Sequence, residues 1–290
     1  MYDVAPLARA TADDGSPWRA RLDLEVTRTP EGARLGRRSH VGPLRIQRPF
    51  FPEGSDILHL YLLHPPGGVV GGDELRIGID VRSKAHALLT TPAAQKLYRS
   101  SGATSQILTE LRVEEGGHLE WLPAETIVYS GALSRINWHV RLDPGATFLG
   151  WEAFCLGRPA SNSPFELGQV LLSTEVEIGG RLELCEYSRI AGGSEVLRGS
   201  WGLNGNACFG TLLCASPKKD ALHALNHAIS QAFGNVADIQ VGITGFDGLS
   251  VLRVQGARVR ETMSILVQAW KLARPLLLGH AAHEPRIWST

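Results

Sequence analysis

Carboxylates set among apolar residues are the groups in this chain best placed to do chemistry. Glu120 lies beside Trp121, Glu125 follows Leu122-Pro123-Ala124, Glu152 follows Gly150-Trp151, and Glu186 follows Leu184-Cys185. Facing solvent, such acids only add solubility, the usual fate of glutamate. Facing inward, each needs a partner, a hydrogen bond or a cation. Oxygen donors with Cys155 and histidine nearby would hold a divalent metal weakly and in passage. A fifth acid, Asp73, ends the run His64-Pro65-Pro66-Gly67-Gly68-Val69-Val70-Gly71-Gly72-Asp73. Its prolines fix φ and remove amide donors, while its glycines reach conformations closed to other residues. The run reads either as a tight, buried turn between strands or as a shaped loop that holds Asp73 as an oxygen ligand.

Other chemistries are disfavoured. Gly67 and Gly72 have the spacing of a phosphate-binding loop, but Asp73 and Glu74 stand where Lys and Ser/Thr are needed, and acids there would repel phosphate. No G-x-S-x-G elbow is present. His223 and His227 would share a helical face, yet Ala224 follows His223, so the H-E-x-x-H signature fails. His280, His283 and Glu284 read as a solvated C-terminal turn. Cys155, Cys185, Cys208 and Cys214 contain no C-x-x-C pair and fit reduced thiols. A metal-dependent hydrolase built from the strand-borne acids is the alternative reading of function.

The 29 basic and 29 acidic side chains cancel, so no global field favours nucleic acid or an anionic membrane. The segment Met1 to Pro17 reads as a polar, flexible tail without the apolar core of a secretory signal. No apolar run approaches the roughly 20 residues of a membrane span. A cytoplasmic protein is expected.

The elements that must position the acids are mostly strands. Alternation such as Leu75, Ile77, Ile79, Val81 and Ile136, Trp138, Val140, Leu142 marks half-buried strands from about Leu75 to Leu213. Small-residue turns recur at Ala85, Gly117, Ala146 and Gly180, in steps of 32, 29 and 34 residues. This loose repeat predicts β-solenoid-like stacked strands, with a β-sandwich as the alternative. Glu152 and Glu186 each fall six residues after their turn residue, so stacking in register would point them the same way. Ser216, Pro217 and the stripe Leu222, Leu225, Ile229, Phe233 before Gly234 predict a helix. A second helix is expected over Glu261 to Ala273, halted or kinked by Pro275. Between them, Asp247-Gly248 joins two strands as a hairpin. Both helices should cover the sheet within a single domain spanning residues 1–290. Trp121, Trp138 and Trp151 belong to the core, whereas Trp18, Trp201 and Trp288 are candidates for a partner surface.

Several long motifs, in one order, carry a resemblance. They are Gly42-Pro43-Leu44-Arg45-Ile46-Gln47-Arg48-Pro49-Phe50, the His64 to Asp73 run, Leu89-Thr90-Thr91-Pro92-Ala93-Ala94-Gln95-Lys96-Leu97-Tyr98-Arg99 and Leu119-Glu120-Trp121-Leu122-Pro123-Ala124-Glu125-Thr126-Ile127. They continue through Gly150-Trp151-Glu152 and Leu156-Gly157-Arg158-Pro159-Ala160 to Pro285-Arg286-Ile287-Trp288. Together they resemble the urease accessory protein UreD (UreH) family over nearly the whole chain. The resemblance implies a β-rich, non-enzymatic chaperone and scaffold for placing nickel in apo-urease. It implies binding to UreF and, through UreF, to the GTPase UreG, with docking on apo-urease subunits and a homodimer within the complex as a further expectation. No tightly bound cofactor is implied, only nickel in transit along an internal passage. Carried onto this chain, the passage makes Asp73, Glu125 and Glu152 its preferred polar wall, with Glu120 and Glu186 as further members. Ser130 stands where relatives often carry an acid, and Ser163-Pro164 where they often have Gly-Glu. Each departure removes a ligand or charge.

Overall fold

The computed structural model describes residues 17–234 and 236–289, so the expected tail lies, apart from Pro17, outside the described residues. In chain order the strands are β1 (Arg19–Thr29), β2 (Gly32–Val41), β3 (Arg45–Ile46), β4 (Leu58–Leu63), β5 (Glu74–Val81), β6 (His86–Thr90), β7 (Gln95–Leu97), β8 (Ser105–Val113) and β9 (His118–Leu122). They continue as β10 (Thr126–Val128), β11 (Leu133–Leu142), β12 (Thr147–Leu156), β13 (Gln169–Ile178), β14 (Arg181–Ala191) and β15 (Cys208–Ala215). Helix α1 (Lys219–Phe233), β16 (Ile239–Phe246), β17 (Leu249–Gly256) and helix α2 (Val259–Leu278) complete the elements used below.

Two sheets face one another. The first runs β14-β13-β11-β8-β5-β1-β2, and the second β16-β17-β15-β12-β9-β6-β4-β3, with β10 joining β12 to β7 off that path. The inner strands are parallel and stack as solenoid layers. His86 pairs with His118 and His118 with Thr147, which are the offsets of 32 and 29 seen in the repeat. The turn residues stack too: His118 N–H donates to the Ala85 carbonyl and Thr147 N–H to that of Gly117. These three turns each carry the chain from the first sheet to the second. The fourth does not. Gly179 and Gly180, with φ of 59° and 79°, fold β13 back antiparallel on β14 within the first sheet. Positive φ at two successive residues is the geometry of a tight hairpin, which here ends the layered repeat.

Apolar side chains from the inner faces of both sheets form one core, including Leu24, Ile79, Leu89, Trp138 and Phe148. A second core lies on the outer face of the second sheet, where Leu149, Trp151 and Leu212 meet Leu225 and Ile229 of α1 and Leu266 and Trp270 of α2. Full burial of each such side chain contributes roughly 1.5–3 kcal/mol, enough to hold both helices against the sheet. The predicted α1 stripe is the buried one, although the helix starts two residues after Pro217. The second helix departs from expectation because it runs through Pro275 to Leu278 and ends at Gly279, with φ of 77°. Buried Leu277 and Leu278, together with an anchored Arg274, hold the last turn in place beyond the proline. The Asp247-Gly248 hairpin forms as expected, with Phe246 opposite Leu249. Trp121, Trp138 and Trp151 are all buried.

Candidate functional site

Alternation along β12 decides which way its acid points. Leu149, Trp151 and Ala153 face the helices, whereas Phe148 and Phe154 face the space between the sheets. Glu152 shares the parity of the phenylalanines and therefore projects between the sheets. There it lines two cavities. One, of about 650 Å³, has walls from Trp138, Leu172, Thr174 and Phe209; the other, of about 410 Å³, has walls from Leu62, Ile77, Ile107 and Trp121. The Glu152 carboxyl makes no hydrogen bond or ion pair with any described residue. Burial alone raises its pKa to about 8, so the carboxyl is protonated through most of the neutral range. Trp138 Nε1 lines the larger cavity and Gln95 Nε2 the smaller, and neither buried donor has a protein partner. Between the sheets, then, Glu152 is an unpaired carboxyl on the wall of both cavities, the smaller mainly apolar and the larger edged also by Glu186, Arg189 and Arg253.

Glu186 and Glu152 do face one cavity, but for a different reason from that expected. Because Gly179-Gly180 turns back within the first sheet, Glu186 reaches the larger cavity from β14, opposite Glu152 on the second sheet. Glu186 is ion-paired with Arg253 of β17, across the gap between the two sheets. Trp201, 73% exposed, lines the same cavity. Trp18 is 43% exposed. Trp288 is placed otherwise: it packs 5.6 Å from Trp151 and 5.5 Å from Trp270 and donates to Thr90 Oγ1 at 2.9 Å.

The remaining acids sit elsewhere. Asp73 is buried, and its two oxygens accept the amides of Trp18 and Val70, each at 2.9 Å. Its carboxylate closes the glycine-rich run onto the start of the described chain and lines neither inter-sheet cavity. Gly68 is required in that loop because a Cβ would lie 2.2 Å from the Tyr98 ring. Glu125, half-buried just before β10, lies near Cys155 and Cys208, whose thiols it disfavours ionising. Glu120 is fully buried under α2 on the outer face, where it accepts from Trp270 Nε1 at 2.7 Å and Arg274 Nε at 3.0 Å and meets His86 Nε2 at 2.8 Å. Burial would raise its pKa, but His86 and Arg274 outweigh that and hold it below the ordinary value. Asp73, Glu120 and Glu125 therefore do not share a wall with Glu152.

A buried ionic network around Glu120 had no signal in the sequence. Arg274, itself fully buried, binds Glu53 at 2.6 Å as well as Glu120, and Glu53 meets His59 Nε2 at 2.8 Å. Although burial opposes it, the hydrogen bonds from His59 and Arg274 lower the Glu53 pKa to about 2. His118, 5.4 Å from His86 between ring centres, is held down to about 4 chiefly by burial. His223 and His227 lie exposed on α1. Among the described residues no three of His, Cys, Asp and Glu come together so as to hold a metal ion, so the hydrolase alternative finds no ligand set there. Ser130 Oγ accepts the amides of Glu166 and Leu167 and so ties down a turn.

Comparison with known proteins gives one consistent result. The sequence profile of the family described as UreD urease accessory protein matches residues 19–289. A urease accessory protein UreD of Escherichia coli is 40% identical over 281 residues, covering 95% of this chain and 98% of that protein. One from Alkalilimnicola ehrlichii is 41% identical over 289 residues, covering 99% of this chain and 96% of its own. A protein of Brucella anthropi named urease accessory protein UreD 2 is 39% identical over 274 residues, covering 94% of this chain and 98% of its own.

Proposed function

We propose, from the premise that this chain belongs to the UreD urease accessory protein family, that it acts without catalysis of its own as a chaperone and scaffold for loading nickel into apo-urease. In this reading the chain works in the cytoplasm, binds UreF and through it the GTPase UreG, and docks the assembly on apo-urease subunits. Nickel is the cargo, and the space between the sheets is its route. The observation that carries the reading is the position of Glu152: one unpaired carboxyl, on the wall shared by two inter-sheet cavities.

Transit sets different requirements from storage. A high-affinity site needs several converging ligands, whereas a route needs weak, successive contacts that release as easily as they bind. Glu152 supplies one such contact at mid-route, and Glu186 beside Arg253 supplies another at the β14 and β17 edges. A protonated carboxyl is a poor ligand until an arriving cation displaces its proton, so Glu152 exchanges one positive charge for another as the cation passes. In this reading Asp73, Glu120 and Glu125, which line neither inter-sheet cavity, take no part in the route. No described helix is long and apolar enough to cross a membrane.

The test is Glu152→Gln in cells that assemble urease, with nickel content and urease activity measured alongside recovery of the accessory complex. Reduced nickel and activity with an intact complex are expected. Unchanged activation with the complex intact would reject the route while leaving the scaffold role standing, and deletion of the whole chain with normal urease nickel would reject both.

A further inference from the structure

Cys155 and Cys208 have no place in the reading above, yet they are arranged for chemistry with each other. They are directly opposed on antiparallel β12 and β15, with Sγ atoms 3.4 Å apart. Leu156 N–H donates to the Ala207 carbonyl, one residue beyond the pair on each strand. That bond makes Cys155 and Cys208 a non-hydrogen-bonded pair, whose Cα atoms approach to about 4.5 Å. The separation lies inside the range that a disulfide spans, so closure asks only for side-chain rotation. Nothing stands between the sulfurs. Around them the Gly157 and Ala257 carbonyls lie 3.9 and 3.8 Å away.

We propose that Cys155 and Cys208 are a reversible oxidation site, closing to a cross-strand disulfide when the chain meets hydrogen peroxide. Cys155 is the attacking sulfur, because the Cys208 S–H donates to it and favours its thiolate. The thiolate attacks peroxide, the O–O bond breaks, and Cys155 becomes a sulfenic acid with release of hydroxide. Cys208 sulfur then attacks the sulfenic sulfur; its proton and the departing hydroxyl leave as water. The net change is two thiols and one peroxide to one disulfide and two waters, with sulfur oxidised and peroxide reduced.

Both thiols are buried, which by itself would make them inert. Their position offsets this. The pair lies where three strands end together, since β12 finishes at Leu156, β15 begins at Cys208, and Cys208 pairs with Gly256, the last residue of β17. Strand ends open locally far more often than strand centres, which admits a water-sized oxidant. The bond would also tie a functional element. It closes a span of 53 residues that includes β13, β14 and Trp201, hence one side of the larger cavity.

The experiment uses the full-length chain, reduced, then exposed to peroxide, blocked with N-ethylmaleimide in denaturant and digested without reductant. Mass spectrometry should show a Cys155–Cys208 linked peptide two hydrogens lighter than the free pair, reversed by dithiothreitol. The unfolding temperature of the oxidised chain should rise by roughly 7 °C, as expected for closing a loop of this length. Cys185→Ser removes the exposed thiol that would link chains, and the linked peptide should persist in it. Full alkylation of Cys155 and Cys208 after peroxide has oxidised Cys185 in the unaltered chain would overturn the proposal. So would a Cys155 sulfinic acid with Cys208 still free.

Discussion

Replacing Glu152 by Gln should stabilise the folded chain at mildly alkaline pH and barely alter it in acid. The native carboxyl titrates at about 8, against 4.5 for an unperturbed group, with burial as the cause. A carboxyl whose folded pKa is raised stays protonated in the native state while the unfolded chain ionises, so stability falls as pH climbs from 4.5 toward 8. At 1.36 kcal/mol per pH unit, the accumulated loss is about 1 kcal/mol at pH 5 and about 4 kcal/mol at pH 7.5. Glutamine keeps the shape and carries no such loss. Water reaching the cavity screens the charge, which makes the larger figure a ceiling. With an unfolding entropy near 2.1 cal/mol/K per residue, that ceiling corresponds to a rise in Tm of roughly 6 °C at pH 7.5. The assay is thermal and urea unfolding of both proteins at pH 5 and pH 7.5. A stability difference equal at the two pH values would refute the placement of Glu152 as an unpaired, desolvated carboxyl on the cavity wall.

Removing the charge of the fully buried Arg274 with Arg274→Met should destabilise the chain by about 3–5 kcal/mol, because Glu120 and Glu53 are left without their cation. Urea unfolding measures this, and adding Glu120→Gln to the same chain should recover part of the loss. His118 is neutral in the fold because its pKa is depressed from 6.5 to about 4, so stability is lost as pH falls between those values while the unfolded chain takes up the proton first. His118→Gln should remove about 3 kcal/mol of that acid sensitivity by pH 4; unfolding curves as steep in pH as those of the unaltered chain would contradict it.

The layered fold was legible because its repeat is written in turn residues. Small residues at Ala85, Gly117 and Ala146 recur at the spacing with which the layers hydrogen-bond, so counting between them measured the register directly. The same counting failed at Gly180, since a small residue permits a hairpin as readily as a passage between sheets, and spacing does not distinguish them. The direction of Glu152 was open for a related reason. Strand β12 is buried on both faces, so apolar residues occupy both parities and alternation names no inside. The Arg274 network was beyond reach for another reason. Glu53 and Arg274 are 221 residues apart, and one sequence holds no local pattern linking them. The Cys155–Cys208 pair was hidden likewise, since its closeness arises from β12 and β15 pairing across an excursion of 53 residues.

Glu120 and Glu152 show why strand position alone does not assign an acid its chemistry. They lie on adjacent strands of the same sheet, Glu120 opposite Leu149 and Glu152 three residues further along. One faces α2 and the other faces the cavities. Glu120 is fully buried and Glu152 half-buried, and for both desolvation pushes the carboxyl pKa up. On the helix side Arg274, Trp270 and His86 converge on Glu120, and the group remains an anion fixed in packing. On the cavity side nothing converges on Glu152, and the proton becomes its counter-charge. An anion already saturated with donors has no capacity for a passing cation, whereas a protonated acid in a cavity can exchange its proton for one. The empty space beside Glu152, rather than its burial, therefore separates the carboxyl suited to a route from the one suited to a scaffold.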